Sequence, residues 1–313
     1  MSQLDPFHGL PRWPRGSAVA VGVFDGVHAG HRRLIDTTRR WAVGQGAGAA
    51  ALTFDPHPAA LFRPGARGAM LLQTVEDRVA ELRAAGLDRV GVARFDHAFA
   101  AQDPEQFVDS VLLDRLGAAC VVVGDDFRFG AGQAGNALLL EEMGRRKGFG
   151  VEVVPEVRVD GVPARSTVIR ERLESGDVGA ARGLLGRPHR VSGTVIGGKR
   201  LGRTIGFPTA NLDPPAQLVI PASGVYAAVA RGDFGERAAA VSVGVNATVD
   251  PQAAPTVEAF LLDYSGDLYG TRLTVDFLER VRGMEAFEGL DALKAAIARD
   301  VDQVRAIVAG EPV

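Results

Sequence analysis

Residues 21–31 read Val21-Gly22-Val23-Phe24-Asp25-Gly26-Val27-His28-Ala29-Gly30-His31, a β-like stretch that passes through glycines into a helix start. The stretch begins at Ala18 and ends at Val23. Its glycines let the backbone approach a ligand, and the helix that follows aims its N-terminal N–H groups and positive dipole end at the same place. His28 and His31 fall on one face of the first turn, because residues three apart are helix neighbours. Two imidazoles so placed can grip a nucleotide's phosphates without a Walker lysine. Alone, either would read as a solvated polar residue; attached to Gly22-Val23-Phe24-Asp25-Gly26 the pair points to phosphate.

Working outward, residues 18–154 alternate short β-branched runs with helical patterns. The strand candidates are Ala18–Val23, Ala49–Phe54, Arg89–Arg94, Ala119–Gly124 and Gly150–Val154. Such alternation predicts βαβ units and a parallel, Rossmann-like sheet. Helix signals fall between the strands: Asp103 as N-cap before Pro104 with Gly117 past the end, and Thr74 with Asp77 as a capping-box-like start. The run Gly44–Ala51 reads as a helix end and strand start.

In an open parallel sheet ligands lie beyond the carboxyl ends of the strands. The loops there are unusual: residues 24–31 after the first strand, Phe54-Asp55-Pro56-His57-Pro58 with Phe62 nearby after the second, and Gly124-Asp125-Asp126-Phe127-Arg128-Phe129-Gly130 after the fourth. Ser166-Thr167-Val168-Ile169-Arg170 then offers hydroxyls at a helix start and an arginine within a turn or two, a second arrangement suited to phosphate. Singly, each has a plainer reading. Pro56-His57-Pro58 serves as a rigid turn, Asp125-Asp126 as a solvated loop, Ser166 as an N-cap, and Phe127-Arg128-Phe129 as core around a snorkelling arginine. Their joint position at strand ends favours a site.

The chain has 313 residues, longer than one core supports, so two domains are expected. With 46% hydrophobic and 23% charged residues it reads as a soluble globular protein, and its net charge of −3 gives no reason to expect nucleic acid as a partner. The single cysteine, Cys120, lies in an apolar run, which excludes an intrachain disulfide or thiolate metal cluster and suggests a reducing compartment. Residues 1–15 lack the apolar segment of a secretory leader, and no apolar run reaches spanning length. A cytoplasmic protein with no membrane partner is expected; a homo-oligomer is compatible with the sequence.

Around Ala180–His189 the alternation stops, and Gly183–Pro188 reads as a linker after a short helix. Beyond it, β-rich runs recur at Arg190–Ile196, Gly224–Arg231, Ala238–Val243, Thr256–Asp263 and Arg272–Glu279, followed by one helix from about Leu290 to Val308. This spacing predicts a small antiparallel barrel or sandwich closed by a terminal helix. Domains of residues 1–185 and 186–313 result. Within the second, Gly197-Gly198-Lys199-Arg200-Leu201-Gly202-Arg203 combines tight turns with three cations, yet lacks the ending of a P-loop. A basic surface loop is the plainer reading. Thr209 and Asn211 put two neutral oxygens on one face of an extended chain, a donor type that suits Mg²⁺. Alternation sets Glu258 and Phe260 opposite Val257, Ala259 and Leu261, toward either solvent or a pocket.

Taken together, VGVFDGVHAGH, TFDPHP, VGDDFRFG, STVIR and GFPTANL resemble the bifunctional bacterial riboflavin kinase / FMN adenylyltransferase family, also called FAD synthetases, over nearly the whole chain. The resemblance implies that the first domain joins AMP from ATP to FMN, making FAD, and that the second phosphorylates riboflavin to FMN. It implies that His28 and His31 hold ATP phosphates, with Gly22, Phe24, Asp25, Gly26, Asp126, Ser166, Thr167 and Arg170 completing the nucleotide site. Phe54, His57, Pro58 and Phe62 would border the flavin. In the second domain it implies ATP binding by Gly197, Lys199, Gly202 and Arg203, Mg²⁺ coordination by Thr209 and Asn211, and Glu258 as general base. Two departures stand out. Arg165 occupies the place of the first of two serines, and Asn246-Ala247-Thr248-Val249 replaces the family's Asn-Pro-Thr-Phe.

Overall fold

The computed structural model describes residues 10–62, 70–198, 202, 205–244 and 255–310. Lys199, Arg203 and the Asn246–Val249 departure lie outside the described residues. The chain divides into two compact units between Ser166 and Thr167.

In the first unit β1 (Ser17–Val21), β2 (Ala49–Asp55), β3 (Arg89–Arg94), β4 (Ala118–Gly124) and β7 (Gly150–Val154) form one parallel sheet in the order β3-β2-β1-β4-β7. Its connections carry α1 (Ala29–Gln45), α2 (Pro58–Phe62), α3 (Val75–Ala84), α4 (His97–Ala100), α5 (Pro104–Gln106), a π-helical stretch Phe107–Arg115, and α6 (Ala137–Lys147). Two-residue ladders pair β5 (Arg128–Phe129) with β6 (Gly135–Asn136), and β8 (Arg158–Val159) with β9 (Val162–Pro163). Strand order reverses between β1 and β4, the switch point where an open α/β sheet leaves a crevice at its carboxyl edge. Alternation along the strands sorts side chains by size. Ala18, Ala20, Ala49 and Ala51 sit with Leu34 and Ile35 of α1, whereas Val19, Val21, Leu52, Phe54, Val121 and Val123 meet the π-helical stretch and α6. The alanines let α1 lie close against β1, which fixes where its N-terminus stands.

The expected caps are present. Thr74 accepts from Asp77 N at 3.1 Å, and Asp103 and Gln106 form a reciprocal capping box. The helix read as starting at Pro104 and ending before Gly117 differs in kind: after one α-turn its bonds skip a further residue, as in Leu116 N to Val111 O at 3.0 Å. The linker expected at Gly183–Pro188 is shorter, because Gly183, Leu184 and Leu185 end a helix and both leucines are buried.

The second unit begins within α7 (Ser166–Glu174) and continues through α8 (Val178–Leu185) to a closed antiparallel barrel. Its strands are β10 (His189–Ile196), β11 (Ala210–Asp213), β12 (Gly224–Gly232), β13 (Gly235–Gly244), β14 (Thr256–Leu261) and β15 (Arg272–Arg282), in the order β10-β11-β14-β13-β12-β15. β11 is the strand absent from the expected set; its four residues are too few to show a period. Val191, Val241, Val257, Ala259, Leu273, Val275 and Phe277 fill the interior. The terminal helix α9 (Leu290–Ala309) packs outside, burying Val304 with Ala227 and Leu262. Two arginine–carboxylate forks hold it there, Arg282 to Asp300 and Arg305 to Asp263.

Candidate functional site

The end of β1 turns sharply into α1. Phe24, Gly26 and Val27 adopt φ values of 55°, 88° and 41°. For Phe24 and Val27 this left-handed backbone is unfavourable by about 1–2 kcal/mol each, and the complete burial of both side chains holds it in place. The turn sets His28 as the N-cap of α1, where its Nδ1 accepts from His31 N at 3.4 Å. The two imidazoles stack with centroids 3.6 Å apart and planes 21° from parallel, and the Phe24 ring lies 5.1 Å from His31. A Cβ at Gly30 would crowd Ala164 O and His28 Cε1, each at 3.1 Å, so glycine permits this approach. Burial first, then the neighbouring His28 and Arg78, hold His31 well below the usual imidazole pKa. It is therefore neutral near pH 7, and its enclosed Nδ1 has no hydrogen-bond partner among the described residues.

Asp25, expected at the phosphates, is buried in this loop. Its buried carboxylate accepts Leu72 N at 2.9 and 3.1 Å, while its carbonyl accepts Ser166 Oγ at 2.8 Å. Ser166 is thus the first helical residue of α7 rather than its N-cap, and its hydroxyl fastens that helix start to the loop carrying His28. Thr167 and Arg170 follow on α7, Arg170 buried and Thr167 exposed. Gly22 donates to Leu52 O at 3.1 Å and leaves room for the Phe24 ring. Asp126 is exposed in the loop after β4, beside Asp125, whose carboxylate accepts Glu156 N at 3.2 Å. Arg165 is answered: Glu156 pairs with it at 2.6 Å and with Arg158 at 2.8 Å.

At the ends of β2, β3 and β4 the phenylalanines form a continuous file. Phe62 meets Phe95 edge-on at 6.1 Å, Phe95 meets Phe54 at 5.6 Å, and the contacts continue through Phe99, Phe107 and Phe129 to Phe127. Phe62 is 61% exposed at one end, on α2, whose start is set by His57 Nδ1 accepting Ala59 N at 3.0 Å; Pro58 is its first residue. Sequence reasoning singled out Phe54 and Phe62 but not Phe95 or Phe99, which join them. It also passed over Arg78. That side chain is 0% exposed, and its Nη1 donates to Val23 O, Thr53 Oγ1 and Phe54 O at 2.7, 3.0 and 3.2 Å.

In the barrel, register places Asn211 directly opposite Glu258, and the Thr209 hydroxyl donates to Glu258 Oε2 at 3.2 Å. Val257, Ala259 and Leu261 are buried while Glu258 and Phe260 are half-buried, the alternation expected from sequence. Phe207 lies edge-on to Phe260 at 5.5 Å beside this group. Gly202 O accepts Ile205 N and Phe207 N at 3.2 and 2.8 Å, closing a turn in which a Cβ at Gly202 would overlap Phe207 O. Gly198 similarly leaves the space beside the Asn211 amide, and Gly197 is exposed one residue earlier. Two neutral side-chain oxygens and one carboxylate are a donor set for a hard cation that keeps most of its shell for phosphate and water.

A histidine-capped helix at the switch point of one unit, and an oxygen-rich edge on the closed barrel of the other, define a two-module nucleotide-dependent transferase. The family model described as FAD synthetase matches residues 10–168, and that described as riboflavin kinase matches residues 185–308. A bifunctional riboflavin kinase/FMN adenylyltransferase of Pseudomonas fluorescens is 37% identical over 302 residues, covering 96% of both chains. One from Bacillus subtilis is 31% identical, covering 94% of this chain and 93% of the relative. A crystal structure described as a macrolide-efflux protein from Streptococcus pneumoniae superposes with a TM-score of 0.86 at 29% identity, covering 94% of this chain and 95% of that one. Among the described residues no helix is long and apolar enough to cross a membrane. The chain belongs to the bifunctional riboflavin kinase/FMN adenylyltransferase family.

Proposed function

We propose that the family's two activities, riboflavin kinase and FMN adenylyltransferase, run on the two groups of residues just described. In the first unit a phosphate oxygen of FMN attacks the α-phosphorus of ATP, the bond to the β-phosphate breaks, and pyrophosphate leaves. His28 and His31, with the N–H groups of α1, face the charge that develops, while the hydroxyl of Ser166, bonded to Asp25 O, holds the loop that carries them; Asp126 completes the nucleotide site in this unit. Such a reaction needs positioning and electrostatic stabilisation more than a covalent nucleophile. The carrying observation is the stacked His28–His31 pair with its neutral, enclosed His31. The exposed end of the phenylalanine file at Phe62, with Phe54, His57 and Pro58, supports an apolar bed for the flavin ring. Because the family resemblance carries Ser166, Thr167 and Arg170 of α7 to this activity, we assign residues 1–185 to it and 186–313 to the kinase.

In the barrel, Glu258 takes the proton of the riboflavin 5′-hydroxyl as that oxygen attacks the γ-phosphorus of ATP and ADP leaves. Its hydrogen bond from Thr209 orients the carboxylate. Mg²⁺, held by Thr209, Asn211 and the phosphates themselves, would neutralise charge on the transferred group. Gly197 and Gly202, with Lys199 and Arg203, would line the phosphates. Use of ATP in both steps supports a cytoplasmic workplace. Incubation with riboflavin, ATP and Mg²⁺, and separately with FMN, ATP and Mg²⁺, tests the assignment by chromatography of the flavins. FMN then FAD from riboflavin is expected. FAD from supplied FMN alone would remove the kinase assignment, and no product from either would remove both.

A further inference from the structure

Arg78, on α3, is sealed from solvent, yet its hydrogen bonding is lopsided. Three acceptors converge on Nη1, which carries two hydrogens: Val23 O, Thr53 Oγ1 and Phe54 O. Thr53 Oγ1 also donates to Val23 O at 2.7 Å, so the cluster ties the loop leading to His28 to the end of β2. Nε and Nη2, by contrast, are buried and without a partner among the described residues. No carboxylate among those residues forms an ion pair with it. Asp25, Asp55 and Glu76 act on it only at a distance, and Leu72 N engages the Asp25 carboxylate. A residue retained for stability alone would not leave two buried donors unanswered, since a neutral side chain of similar volume fills such a space without that penalty. What the site keeps is the charge.

We infer that Arg78 is a positioning residue for adenylyl transfer: through Val23 it sets where His28 and His31 stand, and its buried permanent charge prepares the same spot for polyphosphate. The groups around His31 make this legible in pH. His28 stacks on it, Phe24 and the N-terminus of α1 pack beside it, and the charge of Arg78, held at Val23 O, acts on it through space, itself under the field of Asp25, Asp55 and Glu76. Removing the arginine removes a cation that opposes protonation of His31, so the imidazole then charges at higher pH.

This inference rests on His28 and His31 as the adenylyl-transfer residues, so His31→Ala is measured alongside. In the full chain, Arg78→Met and Arg78→Lys are assayed for FAD formation from FMN and ATP across pH. The fluorescence of Trp13 and Trp41 reports whether the first unit is intact, and riboflavin phosphorylation whether the second is. For Arg78→Met kcat is expected to fall about 100-fold, with KM for FMN and ATP changed less than about threefold, and the acid limb of the profile displaced to higher pH. Arg78→Lys, which keeps the charge and offers three hydrogens to three acceptors, should recover kcat to within about fivefold and return the limb to its original place. Should Arg78→Met fail to fold, Arg78→Lys decides by the same two readings. Wild-type rates in Arg78→Met, or a displaced limb and slow turnover in Arg78→Lys, would overturn the inference. So would slow turnover with an unmoved limb in both variants, which describes a brace and nothing more. If His31→Ala itself forms FAD normally, it is the underlying assignment of the histidines that fails.

Discussion

Lowering the pH from 7 to 5 should loosen the barrel, and the reason is one histidine. His189 opens β10 with its side chain 0% exposed, its Nε2 bonded to Val219 O at 2.9 Å, its Nδ1 buried without a partner among the described residues, and its ring stacked 6.3 Å from Phe277. Burial pushes its pKa from 6.5 to about 4; the Val219 bond and Asp276 oppose the shift, and Arg187 adds to it. The fold therefore favours the neutral ring, and as pH falls the unfolded chain takes the proton first. The stability this represents is fully present above pH 6.5 and is lost between there and pH 4. A shift of about 2.5 units corresponds to about 3 kcal/mol in all, of which about 2 kcal/mol is gone by pH 5. Against a domain stability of about 5–15 kcal/mol that is a large fraction. Asp276 does not confuse the reading. Burial raises its pKa, but hydrogen bonds from Arg190 and Arg231 outweigh this and leave it below 3.8, so its contribution is intact above that pH. Urea unfolding of the full chain at pH 7 and pH 5, read by hydrogen exchange in peptides from β10 and β15, measures the loss. The chain's two tryptophans, Trp13 and Trp41, lie in the first unit and report on it separately. His189→Gln, which retains an N–H donor but does not titrate, should flatten the dependence. Equal barrel stability at the two pH values, or an undiminished slope in His189→Gln, would refute the reasoning.

The two assigned sites should separate by mutation. His28→Ala is expected to abolish FAD formation from supplied FMN while riboflavin is still converted to FMN, as flavin chromatography will reveal. Glu258→Ala should do the reverse, lowering riboflavin phosphorylation by about 100-fold or more, in the range of a lost general base, while adenylylation continues. Gly202→Ala places a Cβ into Phe207 O and should damage the kinase reaction through the turn that leads to Thr209, seen as a raised KM for ATP and a lower kcat together. Cys120, fully enclosed in β4 with its thiol pKa pushed up to about 12 by burial and then by Glu152, should resist a thiol reagent at pH 8 and react at once in denaturant.

The sheet was legible because its central strands β1, β2 and β4 are almost wholly buried and read as apolar runs bounded by turn residues. Ala18, Ala20, Ala49 and Ala51 even show which face lies under α1. Glu258 was legible for a related reason: a charged residue between Val257 and Ala259 must point away from the interior they share. β11 was not, since a four-residue strand reached through a turn has no period of its own, and only pairing with β10 and β14 makes it a strand. The conversion of the helix after Pro104 to π geometry was equally hidden, because the same residues satisfy either ladder. Arg78 is the instructive case. In Val75-Glu76-Asp77-Arg78-Val79 it looks like one charge in a solvated helical pattern, and the acids beside it invite that reading. Its burial follows from the reach of the side chain from α3 to Val23, Thr53 and Phe54 at the ends of β1 and β2, a fact of topology and not of local sequence. A motif announces the groups that touch the phosphates. The groups that aim them come from elsewhere in the chain, and only the fold shows which ones they are.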